Sequence, residues 1–107
     1  MDARLPTHIE VSGLIRAVEA AGGSAMVLQK GERDAGTLAL VTCQRGTAAR
    51  FWERMPQLDG SRKFTPVRAQ EPDKPLLFWE YLERRKSQDC DLWLLELDIE
   101  NPERFIA

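Results

Sequence analysis

The stretch Thr37-Leu38-Ala39-Leu40-Val41-Thr42-Cys43 decides the fold of this 107-residue chain. Side chains alternate between the two sides of an extended chain, so the two leucines lie on one side and Ala39 and Val41 on the other. A strand that is apolar on both sides is typical of the interior of a sheet, where both faces are covered. We therefore predict that residues 37–43 form a central strand.

Further strand patterns lie on both sides of this one in the sequence. Residues 24–30 contain an apolar centre, and the glycine-bracketed polar loop 31–36 after them suits a hairpin return. Residues 47–55 alternate apolar with basic side chains, which is typical of a half-exposed strand. Residues 63–67 fit only a short edge strand, because Pro66 has no N–H to donate to a central ladder.

Two helices are predicted from their start and stop signals. Thr7 and Glu10 fit the reciprocal capping pattern of a helix N-terminus, and apolar residues then recur at helical spacing until Gly22, which favours a helix end. A shorter helix beginning at Ser12 is the alternative. Asp73 is the expected cap of a second helix, which carries its cations in the last turns.

A last strand is predicted at residues 91–99, rich in leucine and tryptophan. The order is therefore α-β-β-β-(β)-α-β, an α+β fold with a mainly antiparallel sheet and with helices packed on one of its faces. We expect one domain, residues 1–107. No apolar run approaches the roughly 20 residues of a membrane-spanning helix, and the N-terminus lacks the apolar core of a secretory signal, so we expect a cytoplasmic protein that does not enter the membrane.

Few side chains suit catalysis. The single histidine, His8, lies in the first helical turn, where a capping or solvent-facing role is favoured over a catalytic or metal-binding one. Cys43 fits a buried apolar site, and the acids beside Cys90 oppose thiolate formation. The element order also matches the core of nucleases in which two acids and a lysine surround a metal ion. Asp34 and Glu53 are the candidate acids, but the lysine expected two residues after the second acid is missing, since Met55 lies there. We therefore predict no catalytic residue, no metal site and no cofactor.

Charge is distributed unevenly along the chain, although the net charge is only −2. Residues 45–68 contain six basic and two acidic side chains, and residues 89–107 contain six acidic and one basic. The basic segment is either a nucleic-acid surface, with aromatic side chains between its cations, or a region neutralised by the acidic segment. The positive excess of residues 45–68 and the negative excess of residues 89–107 nearly cancel. This favours a basic segment that is neutralised by the acidic one, since nucleic-acid binding calls for a net positive face.

Three segments, in order, resemble a short bacterial family of unknown function, DUF1491. They are residues 5–23, beginning Leu-Pro-Thr-His, residues 27–36, and residues 91–97; residues 44–71 match least clearly. The resemblance implies a short single-domain bacterial protein. It supplies no catalytic residue, because the family has no assigned activity.

The most polar shared segment is the loop 30–36, which together with Arg16 is a candidate ligand site, although a tight turn explains its glycines equally well. Trp93 is expected in the core. Trp52 lies among arginines, the composition of a protein-interface hot spot, but a place at the edge of the core is slightly favoured. The candidate binding residues are Arg16, Lys30, Glu32, Asp34, Trp52 and Arg54.

These features predict a domain that binds another macromolecule, and a protein is the expected partner. Nucleic-acid binding through residues 45–68 is the alternative, and a metal-dependent, nuclease-like hydrolase is the least favoured one. Pairing of two copies of the chain through an edge strand is left open.

Overall fold

The computed structural model describes residues 5–106, and its elements follow the order α-β-β-β-β-α-β. This order confirms the predicted α+β class. None of the described helices is long and apolar enough to cross a membrane. The elements are α1 (Thr7–Ala20), β1 (Ser24–Gln29), β2 (Leu38–Gln44), β3 (Thr47–Pro56), β4 (Arg62–Ala69), α2 (Pro75–Gln88), β5 (Trp93–Asp98) and a final 3₁₀ helix (Pro102–Phe105).

The five strands form one sheet in the order β1-β5-β2-β3-β4. Strand β2 lies in the middle, and all its residues from Leu38 to Cys43 are buried, which confirms the prediction from its two apolar sides. Strand β5 pairs parallel to β2, whereas the other three pairings are antiparallel. Strand β4 is an edge strand, as Pro66 predicted.

The predicted hairpin between β1 and β2 is wrong, because β5 lies between these two strands. Strand β5 buries leucines on both of its sides, Leu94 on one side and Leu95 and Leu97 on the other. These side chains stay buried only when the strand has neighbours and both of its faces are covered. The loop 30–37 therefore crosses over the beginning of β5. The N–H of Glu32 donates to the carbonyl of Asp91 at 3.1 Å, and the indole N–H of Trp93 donates to the carbonyl of Glu32 at 2.6 Å.

The prediction that the helices share one face of the sheet is also wrong. Val11 and Val18 of α1 pack with the β2 leucines 38 and 40, whereas Phe78 and Leu82 of α2 pack with the alternate β2 side chains, Ala39 among them. We call these sides the α1 face and the α2 face. Because β2 is apolar on both sides and β5 has buried leucines on both, each face of the sheet needs its own cover.

Helix α1 has the predicted extent, but its N-terminus is capped by a loop and not by its own side chains. The backbone N–H groups of Thr7 and His8 donate to the carbonyls of Asp34 and Arg33, at 3.1 and 3.0 Å. The hydroxyl of Thr7 donates to the carbonyl of Gly36 at 2.7 Å, so Thr7 is buried and does not form the expected capping box. The orphan donors at the start of a helix are thus satisfied by the loop after β1.

The end of α1 matches the prediction, and the start of α2 does not. Gly22 has a left-handed backbone with φ of 92°, and the next N–H donates to the carbonyl of Val18 at 3.0 Å, a glycine-terminated helix end. Helix α2 begins at Pro75 after Lys74, and Asp73 makes no side-chain capping bond. Proline is well suited to this first position because its missing N–H is not needed there.

Candidate functional site

A cleft of about 660 Å³ opens between the start of α1, the loop before β2 and the ribbon of β3 and β4. We call it the N-terminal cleft. It brings together two of the six predicted binding residues, Asp34 and Arg54. Its lining residues are Leu5, Pro6, Thr7, Glu10, Asp34, Ala35, Gly36, Thr37, Leu38, Arg54 and Arg62.

Arg54 is held inside the cleft by two contacts. One of its terminal nitrogens donates to the carboxylate of Glu10 at 2.5 Å, and its guanidinium carbon lies 4.6 Å from the centre of the Phe64 ring. Both charged side chains of the pair are mostly buried, with 28% and 29% of their surface exposed. Charge-assisted bonds of this kind are among the stronger ones in proteins, so Arg54 is a fixed wall of the cleft.

Arg62 is the less constrained cation of the cleft. Within residues 5–106 its side chain makes one hydrogen bond, a long one of 3.4 Å to the carbonyl of Arg54. It lies at the exposed beginning of β4, on the same face of the ribbon as Arg54 and Phe64, because it is two residues from the latter in an extended strand. Most of its five N–H donors are therefore available to an incoming group.

The glycines of the loop 31–36 have a packing role. A Cβ atom on Gly31 would lie 2.7 Å from the carbonyl carbons of Asp91 and Leu92, and one on Gly36 would collide with the carbonyl oxygen of Asp91. Real side-chain carbons do not approach backbone this closely. The glycine pair that suggested a ligand loop is thus explained by the crossing of the loop over β5.

Glu32 is committed to the same loop, while the other two polar candidates lie apart from the cleft. The carboxylate of Glu32 accepts the N–H groups of Asp34 and Ala35 at 3.0 and 2.5 Å, which closes the turn. Lys30 and Arg16 are exposed and do not line the cleft. Of the charged residues of the predicted loop site, only Asp34 is among those that line the cleft.

Trp52 lies at the edge of the core, on the α1 face, with 6% of its surface exposed. Its indole N–H donates to the hydroxyl of Thr42 at 2.8 Å, so its polar atom is satisfied internally. The core interpretation of Trp52 is confirmed, and its replacement would report on stability and not on partner binding. Trp93 is buried in the same cluster, as predicted.

The two acids considered for a metal site lie apart. Asp34 lies beside the start of α1, where His8 Nδ1 is 3.9 Å from its carboxylate. Glu53 points to the α2 face, where its carboxylate accepts two bonds from Arg85, at 3.1 and 2.7 Å. Within residues 5–106, no three His, Cys, Asp or Glu side chains are grouped so that they could hold a metal ion.

Both cysteines are free, and they differ in environment. Burial raises the pKa of the Cys43 thiol to about 11, and the nearby carboxylates of Glu96 and Asp98 add to the effect. Burial also raises the pKa of Glu96, with a smaller contribution from the negative charge of Asp98. Cys90 is exposed, and its sulfur lies 3.9 Å from the Asp91 carboxylate. Cys43 is thus a buried thiol held in its protonated form.

Three cations of the basic segment already have partners. Arg54 pairs with Glu10 on the α1 face, Arg50 lies 3.7 Å from the carboxylate of Glu103, and Arg68 lies over the ring of Tyr81 at 4.4 Å. The other three cations are divided between the two ends of β3. They are Arg45 in the turn before β3, and Arg62 and Lys63 beside its last residues.

Sequence reasoning missed Glu10 and Arg62 as members of the cleft. Glu10 is 44 residues from Arg54, and it was assigned to a capping box that does not form. Arg62 was counted only as part of a charged segment. No local signal joins either residue to the loop at Asp34, because sheet pairing and helix packing bring them together.

Comparison with known proteins places the chain in a family. The family model described as "Protein of unknown function (DUF1491)" matches residues 5–107. No curated protein matches the chain.

Solved structures of similar proteins share the fold along almost the whole chain. The crystal structure of a DUF1491 family protein from Caulobacter crescentus CB15 is 31% identical with a TM-score of 0.78, and 95% of this chain and 94% of that chain are covered. A solution structure of a protein from A. tumefaciens is 29% identical with a TM-score of 0.76, covering 96% and 92%. An NMR structure of a C. crescentus family member is 30% identical with a TM-score of 0.75. The resemblance predicted from the sequence is confirmed: the chain belongs to the DUF1491 family.

Proposed function

We propose that this domain is a non-enzymatic binding module and that the N-terminal cleft holds a segment of a partner protein. The observation that carries the proposal is the combination of an apolar wall with an available guanidinium. Leu5, which is 63% exposed, lines the cleft together with Pro6 and the buried Leu38, and Arg62 lines it from the beginning of β4. Arginine beside exposed apolar surface is typical of protein interfaces.

The chemistry of the cleft favours a segment that carries a carboxylate. Glu10 neutralises Arg54, and the Asp34 carboxylate lies 3.9 Å from the guanidinium of Arg33. Arg62 is therefore the cation that an incoming acid meets. Guanidinium groups bind carboxylates through two parallel hydrogen bonds, which fixes the orientation of the ligand. The volume of about 660 Å³ lies within the range of about 300–1,000 Å³ that is usual for ligand sites. An apolar side chain next to an acidic one would fit inside it.

The placement of the cations favours a protein over a nucleic acid. Binding to a phosphate backbone needs several cations along one continuous surface. Here Arg45 and Arg62 lie at opposite ends of β3, and three cations between or beside them already contact a carboxylate or an aromatic ring. The nucleic-acid alternative is kept as an outcome of the test below.

A photo-crosslinking residue placed at Ala35, which lines the cleft and is exposed, tests the proposal in the native cell with Arg62 in place. Two further variants combine this probe with Arg62→Gln or with the matched control Lys63→Gln, because these two side chains are neighbours on β4 and point to opposite sides of the ribbon. We expect a discrete protein adduct that Arg62→Gln weakens and that Lys63→Gln leaves unchanged. No protein adduct with Arg62 in place, or equal weakening by the two substitutions, would contradict the proposal. An adduct removed by nuclease digestion would support nucleic-acid binding instead.

We propose that the module acts in the cytoplasm. Support comes from the two thiols, Cys43 and Cys90, which are both free, since unpaired thiols persist in reducing compartments. Cell fractionation with marker proteins tests this, and recovery of the chain with periplasmic markers would contradict it.

A further inference from the structure

The two edges of the sheet differ in how they are protected. Strand β1 (Ser24–Gln29) contains no charged residue and no proline, and it exposes Met26 and Val27, at 60% and 41%. Strand β4, the opposite edge, carries Pro66 and three cations. Proteins guard exposed edges against pairing with proline and charged side chains. Strand β1 lacks these protections, which points to pairing along this edge.

The free backbone groups of β1 can be identified from the bonds of its neighbour β5. The N–H of Trp93 donates to the carbonyl of Thr37 at 2.8 Å, and that of Ile99 donates to the carbonyl of Cys43 at 3.2 Å. Both bonds point towards β2. Because successive N–H groups of a strand point to opposite sides, the odd-numbered residues of β5 face β2, and the even-numbered ones face β1.

This alternation continues into β1. Met26 pairs with Glu96, an even-numbered residue of β5, so the N–H and C=O of Met26 point inward to β5. The N–H and C=O of Ala25 and Val27 therefore point outward. Within residues 5–106 no strand pairs with this outer side of β1.

We propose that β1 pairs with β1 of a second copy of this chain, antiparallel, around a two-fold axis at Met26. In this register Ala25 of each copy lies opposite Val27 of the other, and their outward N–H and C=O groups form reciprocal hydrogen bonds. Ala25 packs on the α1 face, so the two Met26 side chains meet each other on the α2 face. The two sheets become one continuous sheet, a symmetric and self-complementary contact.

Charge complementarity selects a second copy as the occupant. Helix α1 has Glu19 and no cation in its last turn, so the negative end of its dipole lacks the usual positive partner. The two-fold at Met26 brings the end of β1 in one copy, which Lys30 follows, towards the start of β1 in the other copy, which follows the end of α1. Lys30 is exposed and does not line the cleft. In the dimer its positive charge would neutralise the negative C-terminal end of α1 in the other copy.

Sedimentation of the full chain over a range of concentrations tests the pairing edge. We expect reversible dimerisation that Met26→Lys weakens by about tenfold or more, because it places like charges opposite each other at the axis. The matched variant Val67→Lys, at a 44% exposed site on the other edge, should leave dimerisation unchanged. A wild-type chain that stays monomeric at millimolar concentration, or equal effects of both variants, would overturn the proposal.

A charge exchange tests the register and does not depend on Met26. Lys30→Glu and Glu19→Lys should each weaken dimerisation, because each leaves like charges facing across the contact. The double variant should restore it. Equal weakening in the double variant would overturn the register. The crosslinking result for the N-terminal cleft does not bear on this pairing, because Arg62 is the first residue of β4, the edge strand farthest from β1.

Discussion

Gly31 lies against the backbone of Asp91 where the loop crosses β5, and replacing it with alanine should be strongly destabilising. The new Cβ would lie 2.7 Å from the carbonyl carbons of Asp91 and Leu92, so the loop must lift. Lifting breaks the bond from Glu32 N–H to Asp91 and the bond from the Trp93 indole to Glu32. The buried indole N–H of Trp93 costs about 1–3 kcal/mol when it is left unsatisfied, and the bond between the exposed residues Glu32 and Asp91 contributes about 0.5–1.5 kcal/mol. We therefore expect a loss of about 1.5–4.5 kcal/mol in the free energy of unfolding.

Urea unfolding followed by tryptophan fluorescence measures the effect, and Gly13→Ala is the matched control. A Cβ on Gly13 meets nothing within 4 Å, and the residue lies inside α1. Alanine there should stabilise the helix by about 0.5–1 kcal/mol, since glycine is a poor helix former. If Gly31→Ala changed the free energy of unfolding by less than about 0.5 kcal/mol, the size of an ordinary surface effect, the packing argument for the loop would be refuted.

Three further predictions follow from the charged and ionisable groups. At pH 8 iodoacetamide should label Cys90 and spare Cys43, because burial raises the pKa of the Cys43 thiol to about 11. Mass spectrometry after labelling of the native protein measures this, and rapid labelling of Cys43 would contradict the prediction. Glu96 binds its proton more tightly in the folded chain because burial raises its pKa, so its contribution to stability is full below the unfolded pKa and is lost as pH rises through the folded pKa. Glu96→Gln should therefore flatten this part of the stability curve in urea titrations at several pH values, and an unchanged curve would be evidence against it. Glu10→Gln should lower the free energy of unfolding by about 1–2 kcal/mol, because it weakens the partly buried bond to Arg54. Urea unfolding should show a smaller loss in molar salt than at low salt, and an equal loss at all salt concentrations would contradict this explanation.

The pattern of β2 predicted its central place because burial on both sides is a property of the strand itself. Strand β5 carries similar information, because Leu94 lies on one of its sides and Leu95 and Leu97 lie on the other, and leucines on both sides call for a cover on each face of the sheet. The insertion of β5 between β1 and β2 was not readable from turn chemistry. A glycine-bracketed loop of this length suits a hairpin as well as it suits a crossing over one strand.

The candidate site was the least predictable part of the molecule. The sequence pointed to Asp34 because it lies in a polar loop, and to Arg54 because it lies in the basic segment. It did not point to Glu10 and Arg62, which lie with them in the cleft. Arg54 faces Glu10, 44 residues away, and Trp52 is buried although arginines flank it. On an extended strand a neighbour in sequence lies on the opposite face, so charged neighbours carry no information about the exposure of Trp52.

The sequence by itself determined the class of the fold, the order of its helices and strands, the core strand and the family. These depend on periodicity, on turn residues and on apolar content, all of which act over a few residues. Tertiary structure alone decided the strand order, the placement of one helix on each face, the capping of α1 by a distant loop and the composition of the cleft. Each of these depends on which surfaces can be buried against each other at the same time, and that is settled only when the whole chain packs.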